Sequence, residues 1–387
     1  MAALDRRAVE EGHTTERTLI ETAGREVARL VEERWPRGRV VGVLGSGHNG
    51  ADGLVALRTL RAWGREVAVV IGGSSPPEPD VSAGWDMPCR DLSESDPDRL
   101  REFVGDAAVL LDGLLGTGVT GAPREPQAGL IDMLNGLRQP VVAVDGPSGM
   151  DFTTGAVPGA CVDAALTVAL GWPKLGQLLG PARERCGELV AVEIGFPPPE
   201  APGRDPAAWA RAATGRWVRE ILPRRPPDAH KGDAGYLTVV AGREGMAGAS
   251  VLAARSAGRG GAGIVRVVGD PANRVPVQTA APDALFTGWD DPEGVADAVS
   301  WADALVVGPG LGRGRDRREL VEAVLASRGD RPVLLDADGL NAFAGDIGSL
   351  SERLASRDLV TPHPGELARL LEVGVDEVLA DPVERAR

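Results

Sequence analysis

Five polar side chains sit where an apolar run gives way to glycine: Asn49 and Asp52, Asp112, and Asp145 with Ser148. The first pair belongs to VVGVLGSGHNGADG (40 to 53), in which an apolar β-branched run meets Gly45, Gly47, Gly50 and Gly53 before a helical pattern begins. A strand, a glycine loop and a helix N-terminus together form a cradle for an anionic group such as a pyrophosphate. Gly45-Ser46-Gly47-His48-Asn49-Gly50 also satisfies G-x-G-x-x-G, the dinucleotide fingerprint. A dehydrogenase additionally needs a carboxylate closing the second strand to hold the ribose, and here EVAVVI runs into Gly72-Gly73-Ser74. This loop instead carries His48, Asn49 and Asp52, aimed from the edge where open α/β sheets bind ligands. A single strand-terminal Asp reads as a helix cap or turn residue. Three glycine-flanked sites on three strand ends read as one site.

The elements that must position them alternate. Residues 3 to 34 show helices interrupted near Gly12 to Thr15, with Leu19, Ile20, Ala23, Val27, Leu30 and Val31 as an apolar stripe. Strands are expected at 40–44, 66–71, AAVLLD ending on Asp112, PVVAVD ending on Asp145, 164–170 and 188–195, with a helix at 54–64 and another near 129–137. A proline-rich loop is expected from Ser74 to Asp80, then a stretch of low hydrophobicity to about Arg99. The stretch from Phe196, PPPEAPGRDPAAWARAATG, reads as a domain boundary with a small helix. A second unit follows, with strands YLTVVAG, GIVRVVG, DALVVGPG, PVLLDADGL and DLVTPHPGE, and helices at GASVLAARSAGRGG and near Arg317 to Ala326. Alternation of this kind implies parallel sheets covered by helices on both faces.

The chain has 387 residues, 43% of them hydrophobic, enough for two cores. Gly 52 and Pro 30 make about a fifth of it, below the roughly 25–30% that signals disorder. A net charge of −14 argues against nucleic acid or an anionic membrane surface as partner. Lys174 and Lys231 are the only lysines among 42 basic residues. Cys89, Cys161 and Cys186 lie far apart, in no CxxC spacing, and read as packing residues in a reducing cytosol. No leader and no apolar run of ~18 residues is evident, so a cytoplasmic protein is expected.

LDRRAVEEG, TAGREVA, GSGHNGADG, LDGLLGTGVTG, VAVDGPSGMD and LGWPKLGQLLGPAR resemble the NAD(P)H-hydrate epimerase, or YjeF N-terminal, family. HKGDAGYLTVVAG, GPGLG, VLLDADGLNA and VTPHPGELARLL resemble the NAD(P)H-hydrate dehydratase family of ribokinase-like fold. The resemblance implies a three-layer αβα Rossmann-like epimerase domain at 1–205, then a ribokinase-like αβα domain at 215–387. It implies that His48, Asn49, Gly50, Ala51 and Asp52, with Gly116, Thr117, Gly118, Val119, Thr120, Gly121 and Ala122, bind NAD(P)H hydrate. By the same resemblance, Asp145 binds substrate and acts as general acid/base, and Asn49, Asp112 and Ser148 hold a potassium ion. In the second domain Ala249, Gly310 and His363 match hydrate-binding positions, and ADP or ATP is the implied co-substrate. His363, between two prolines, reads equally well as a rigid-turn residue.

Four positions depart from the family pattern: His48-Asn49 replaces a double asparagine, Gly50-Ala51 a double glycine, Thr22 an asparagine and Gly146 an isoleucine. The family continues past VLADPVERAR with a lysine-glycine stretch and a GTGD segment, so a truncated, inactive dehydratase domain is expected. Such a domain leaves an unpaired sheet edge and exposed apolar surface, which implies partial disorder, a homo-oligomer that covers the edge, or a separate chain supplying the remainder. Rival readings are a non-catalytic ligand-binding or scaffold protein on the same fold and a nucleotide kinase of ribokinase type. Retention of Asp145, Asn49 and the PSG turn argues against the first, and neither G-x-x-x-x-G-K-[ST] nor GTGD is present for the second.

Overall fold

The computed structural model describes residues 6, 8–73, 75, 77, 81, 83–91, 97–118, 120–196, 210 and 212–386. Most of the boundary stretch after Phe196, most of the proline-rich loop and Val119 lie outside the described residues. The chain divides into two compact units, Met1–Ala212 and Ala213–Arg387.

Among its described residues unit 1 holds seven parallel strands, β1 (Val40–Leu44), β2 (Val67–Ile71), β3 (Cys89–Asp91), β4 (Val109–Gly113), β5 (Val141–Val144), β6 (Leu166–Leu170) and β7 (Glu188–Val192), in the order 3-2-1-4-5-6-7. Every residue of β1, β2, β4, β5 and β6 is buried, which is why they read as unbroken apolar runs. The pleat divides them: Val40 and Leu44 face helix residues such as Val27 and Leu57, and Val41 and Val43 face Ile131 and Leu134. Three layers result. The order reverses between β1 and β4, so the crevice above their C-terminal ends is where this topology binds ligands.

Helix α1 (Glu16–Arg34) starts at Thr15, whose hydroxyl accepts from the Thr18 amide at 3.1 Å, a cap that contributes about 1 kcal/mol. All six residues of its expected stripe are buried. Helix α2 (His48–Ala62) begins six residues earlier than its apolar spacing suggests. Two of the four glycines read as loop residues, Gly50 and Gly53, are inside it. A Cβ on Gly50 would strike the Gly45 carbonyl oxygen, and one on Gly53 would strike the Leu44 side chain. They are small because the helix crosses β1 closely.

Among its described residues unit 2 holds six parallel strands, β8 (Tyr236–Val240), β9 (Ile264–Gly269), β10 (Leu285–Gly288), β11 (Ala304–Val307), β12 (Val333–Leu335) and β13 (Leu359–Val360), in the order 10-9-8-11-12-13. This sheet too is doubly wound, with its reversal between β8 and β11. Edge strand β13 leaves Leu359 and Val360 exposed. No described helix is long and apolar enough to cross a membrane. Cys161 and Cys186 are buried, whereas Cys89, expected as a packing residue, is exposed on edge strand β3.

Candidate active site

Above β1 and β4 lies a cavity of about 820 Å³, walled by Gly45 to Gly50, Asp52, Leu114 to Gly118, Gln127, Asp145 and Leu170, with Arg6, Glu10 and Glu16 from the N-terminal segment. The first intrahelical bond of α2 runs from the Ala51 amide to the Gly47 carbonyl, and Gly47 provides no side-chain cap. The amides of His48, Asn49 and Gly50 therefore lack intrahelical acceptors at the positive end of the helix, which suits a phosphate. His48 Nε2 lies 2.7 Å from Glu16 Oε1, an exposed pair at the rim with little energetic weight.

Beneath the loops is a cluster of oxygens. Asp112 is fully buried and accepts from Ser148 Oγ at 2.6 Å, the Ser148 amide at 2.8 Å and the Leu114 amide at 3.2 Å. Burial pushes its carboxyl up to about 6 in spite of those bonds. Among the described residues no basic side chain pairs with it. Asn49 donates from Nδ2 to the Leu115 carbonyl at 2.8 Å, and its Oδ1 is buried without a partner. A buried carboxylate lacking a counter-charge and a buried amide oxygen lacking a donor are each costly, and one cation between them would satisfy both. The donors on hand, Asn49 Oδ1, the Asp112 carboxylate, Ser148 Oγ and the Leu115 carbonyl, are all oxygen. That set fits a hard cation and not a zinc-type ion. Among the described residues no group of three His, Cys, Asp or Glu converges for one.

Asp145 follows β5 in the left-handed region, φ 61°. Only a well-determined environment holds a non-glycine residue there. Its amide donates to the Val168 carbonyl at 2.9 Å, its carbonyl accepts from Gln177 Nε2 at 2.6 Å, and its Oδ1 accepts from the Leu170 amide at 3.0 Å and from Lys174 Nζ. Gly146 stands where the family has isoleucine because the Phe152 ring occupies the space a side chain would need. Thr22, the other departure on a helix, bonds back to the Thr18 carbonyl at 2.8 Å.

Not every expected site residue reaches the cavity. His48, Asn49, Gly50, Asp52, Gly116, Thr117, Gly118 and Asp145 line it, and Asp112 with Ser148 lies behind. Ala51 packs into the core, and Thr120, Gly121 and Ala122 run on past the wall. In unit 2, Gly310, at φ 62°, follows β11 and packs against Ala249 across the reversal from β8. His363 lies two strands away, beyond β13. It caps the helix Pro364–Leu371, accepting at Nδ1 from the Gly365 amide at 3.1 Å, with Nε2 3.2 Å from Glu366. The sequence reading missed Lys174 and the Leu115 carbonyl as parts of the site; the signal for Lys174 was its rarity.

A nucleotide-sized cavity at the switch point of a 3-2-1-4-5-6-7 sheet, opening onto an uncapped helix N-terminus, places unit 1 among the Rossmann-like ligand-binding domains. A family model described as YjeF-related protein N-terminus matches residues 16–176, and one described as NAD(P)H-hydrate dehydratase matches 237–385. A bifunctional NAD(P)H-hydrate repair enzyme of Salinibacter ruber is 37% identical over all of this chain and 76% of its own length. Those of Escherichia coli and Leishmania major are each 35% identical, over 95% and 89% of this chain and 70% and 66% of their own lengths. The chain belongs to the family of bifunctional NAD(P)H-hydrate repair enzymes. The expected truncation of the dehydratase domain finds no support, because the match to that family runs through residue 385.

Proposed function

We propose that unit 1 interconverts the R and S epimers of NAD(P)H hydrate with Asp145 as proton-transfer residue. A potassium ion held by Asn49, Asp112 and Ser148 organises the loops beside the substrate. The single observation that carries this reading is the pairing of a cavity-facing carboxylate, fixed through one oxygen, with the partnerless Asn49 Oδ1 and the Asp112 carboxylate, which lacks a counter-charge among the described residues, behind the phosphate cradle. The hydrate bears a hydroxyl and a ring nitrogen on one carbon, so inversion needs a proton moved at that hydroxyl while the nitrogen lone pair assists. Among the described residues Asp145 Oδ2 accepts no hydrogen bond, which leaves it for that proton. In unit 2, around Ala249, Gly310 and His363, ADP or ATP gives its terminal phosphoryl group to the hydroxyl of the S epimer and becomes AMP or ADP; phosphate then departs with its C–O electron pair and the adjacent ring carbon loses a proton, leaving NAD(P)H.

The test supplies separated R and S NADHX and follows both epimers by chromatography, with and without potassium. NADH absorbance is followed after ADP or ATP is added. Interconversion that rises with potassium, followed by nucleotide-dependent NADH formation, is expected. Absence of interconversion overturns the epimerase assignment, and absence of NADH overturns the dehydratase one. The reading also takes 1–205 and 215–387 as independent domains. Limited proteolysis between them should leave an N-terminal fragment with its own cooperative melting transition, and loss of all folded material on the first cut would misplace the boundary.

A further inference from the structure

Lys174 is one of two lysines in a chain that otherwise uses arginine for every basic side chain, and it is 7% exposed. Its ammonium bonds Asp145 Oδ1 and donates to the Leu170 carbonyl at 3.1 Å, and its amide donates to Gln177 Oε1 at 2.7 Å. Gln177 in turn donates from Nε2 to the Asp145 carbonyl. The turn after β6 therefore grips Asp145 twice, by its main chain through Gln177 and by its carboxylate through Lys174. A buried ion pair is a poor source of stability, because taking both charges out of water offsets most of their attraction. Its value here is geometric.

We infer that Lys174 is the positioning residue for Asp145: with the Leu170 amide it occupies Oδ1, fixes the carboxylate plane and leaves Oδ2 as the one basic oxygen directed to the substrate hydroxyl. A charge-assisted bond holds that orientation more firmly than a neutral one. Misplacing a reacting group by about 1 Å can cost on the order of 10²-fold in rate. The inference rests on Asp145 being the proton-transfer residue.

The test compares Lys174→Met, Lys174→Gln and Lys174→Arg with Asp145→Asn in the whole chain, measuring kcat and KM for epimerisation and the melting temperature. Lys174→Met should lower kcat by about 10–100-fold with KM within about threefold. Lys174→Gln, a donor without charge, should fall between Met and wild type, and Lys174→Arg should recover at least tenfold over Met. A rise in KM at constant kcat, or kcat that tracks melting temperature across the three variants, would overturn the inference. If Asp145→Asn is inactive while Lys174→Met is unimpaired, only the positioning role fails. If Asp145→Asn is fully active, the underlying assignment fails with it.

Discussion

Asp145→Asn should lower the interconversion of R and S NADHX by about 10²–10⁴-fold, the range that general acid/base catalysis contributes. The substitution is chosen to spare everything else. Asparagine tolerates the left-handed backbone that Asp145 adopts at φ 61°, and its side-chain oxygen can still accept from the Leu170 amide and Lys174. What changes is the atom facing the cavity. An NH2 group replaces Oδ2, and it cannot take up a proton. The loss should therefore fall on kcat, with substrate binding, read by ligand-induced change in melting temperature, little altered. The uncompensated ammonium of Lys174 adds a cost to stability, so assays belong well below the variant's own melting temperature. Epimerisation at the wild-type rate would remove Asp145 from the chemistry.

Much of this site was legible because parallel strands covered on both faces are written as continuous apolar runs, and each run here stops on the residue that matters. β4 contains Asp112 and Asp145 directly follows β5, as their positions at the ends of AAVLLD and PVVAVD imply. The short strands were not legible. β3 is three residues on an edge, Cys89 followed by the charged Arg90 and Asp91, and β10 is four residues in a stretch without clear alternation. The boundary of α2 was misread for a physical reason: glycine, asparagine and aspartate favour loops intrinsically, but the close crossing of α2 over β1 admits nothing larger than glycine at 50 and 53. Long-range partners left no local trace either. Lys174 is 29 residues from Asp145, and a main-chain carbonyl such as that of Leu115 has no sequence signature at all.

The same oxygen cluster gives a second large effect, readable without substrate. In potassium-free buffer the Asp112 carboxyl, moved by burial from 3.8 to about 6, binds a proton in the folded state that the unfolded chain has already released. Between those two values the folded protein holds more protons, so stability falls as pH rises through that window and stays lower above it. The penalty is roughly 3 kcal/mol at full ionisation. A cation at Asn49, Asp112 and Ser148 supplies the missing counter-charge, and it competes with that proton. Potassium should therefore raise the melting temperature little at pH 5, increasingly through pH 6, and by on the order of 5–10 °C near pH 7.5. An equal ionic strength of a bulky organic cation serves as control, since surface charges are screened alike by either salt. Asp112→Asn removes the ionisable group, so the variant should show neither the pH-dependent potassium gain nor the loss of stability between pH 4 and 6 that Asp112 contributes. A potassium gain that is the same at pH 5 and 7.5, or that survives in Asp112→Asn, would show that the ion does not sit against this carboxylate.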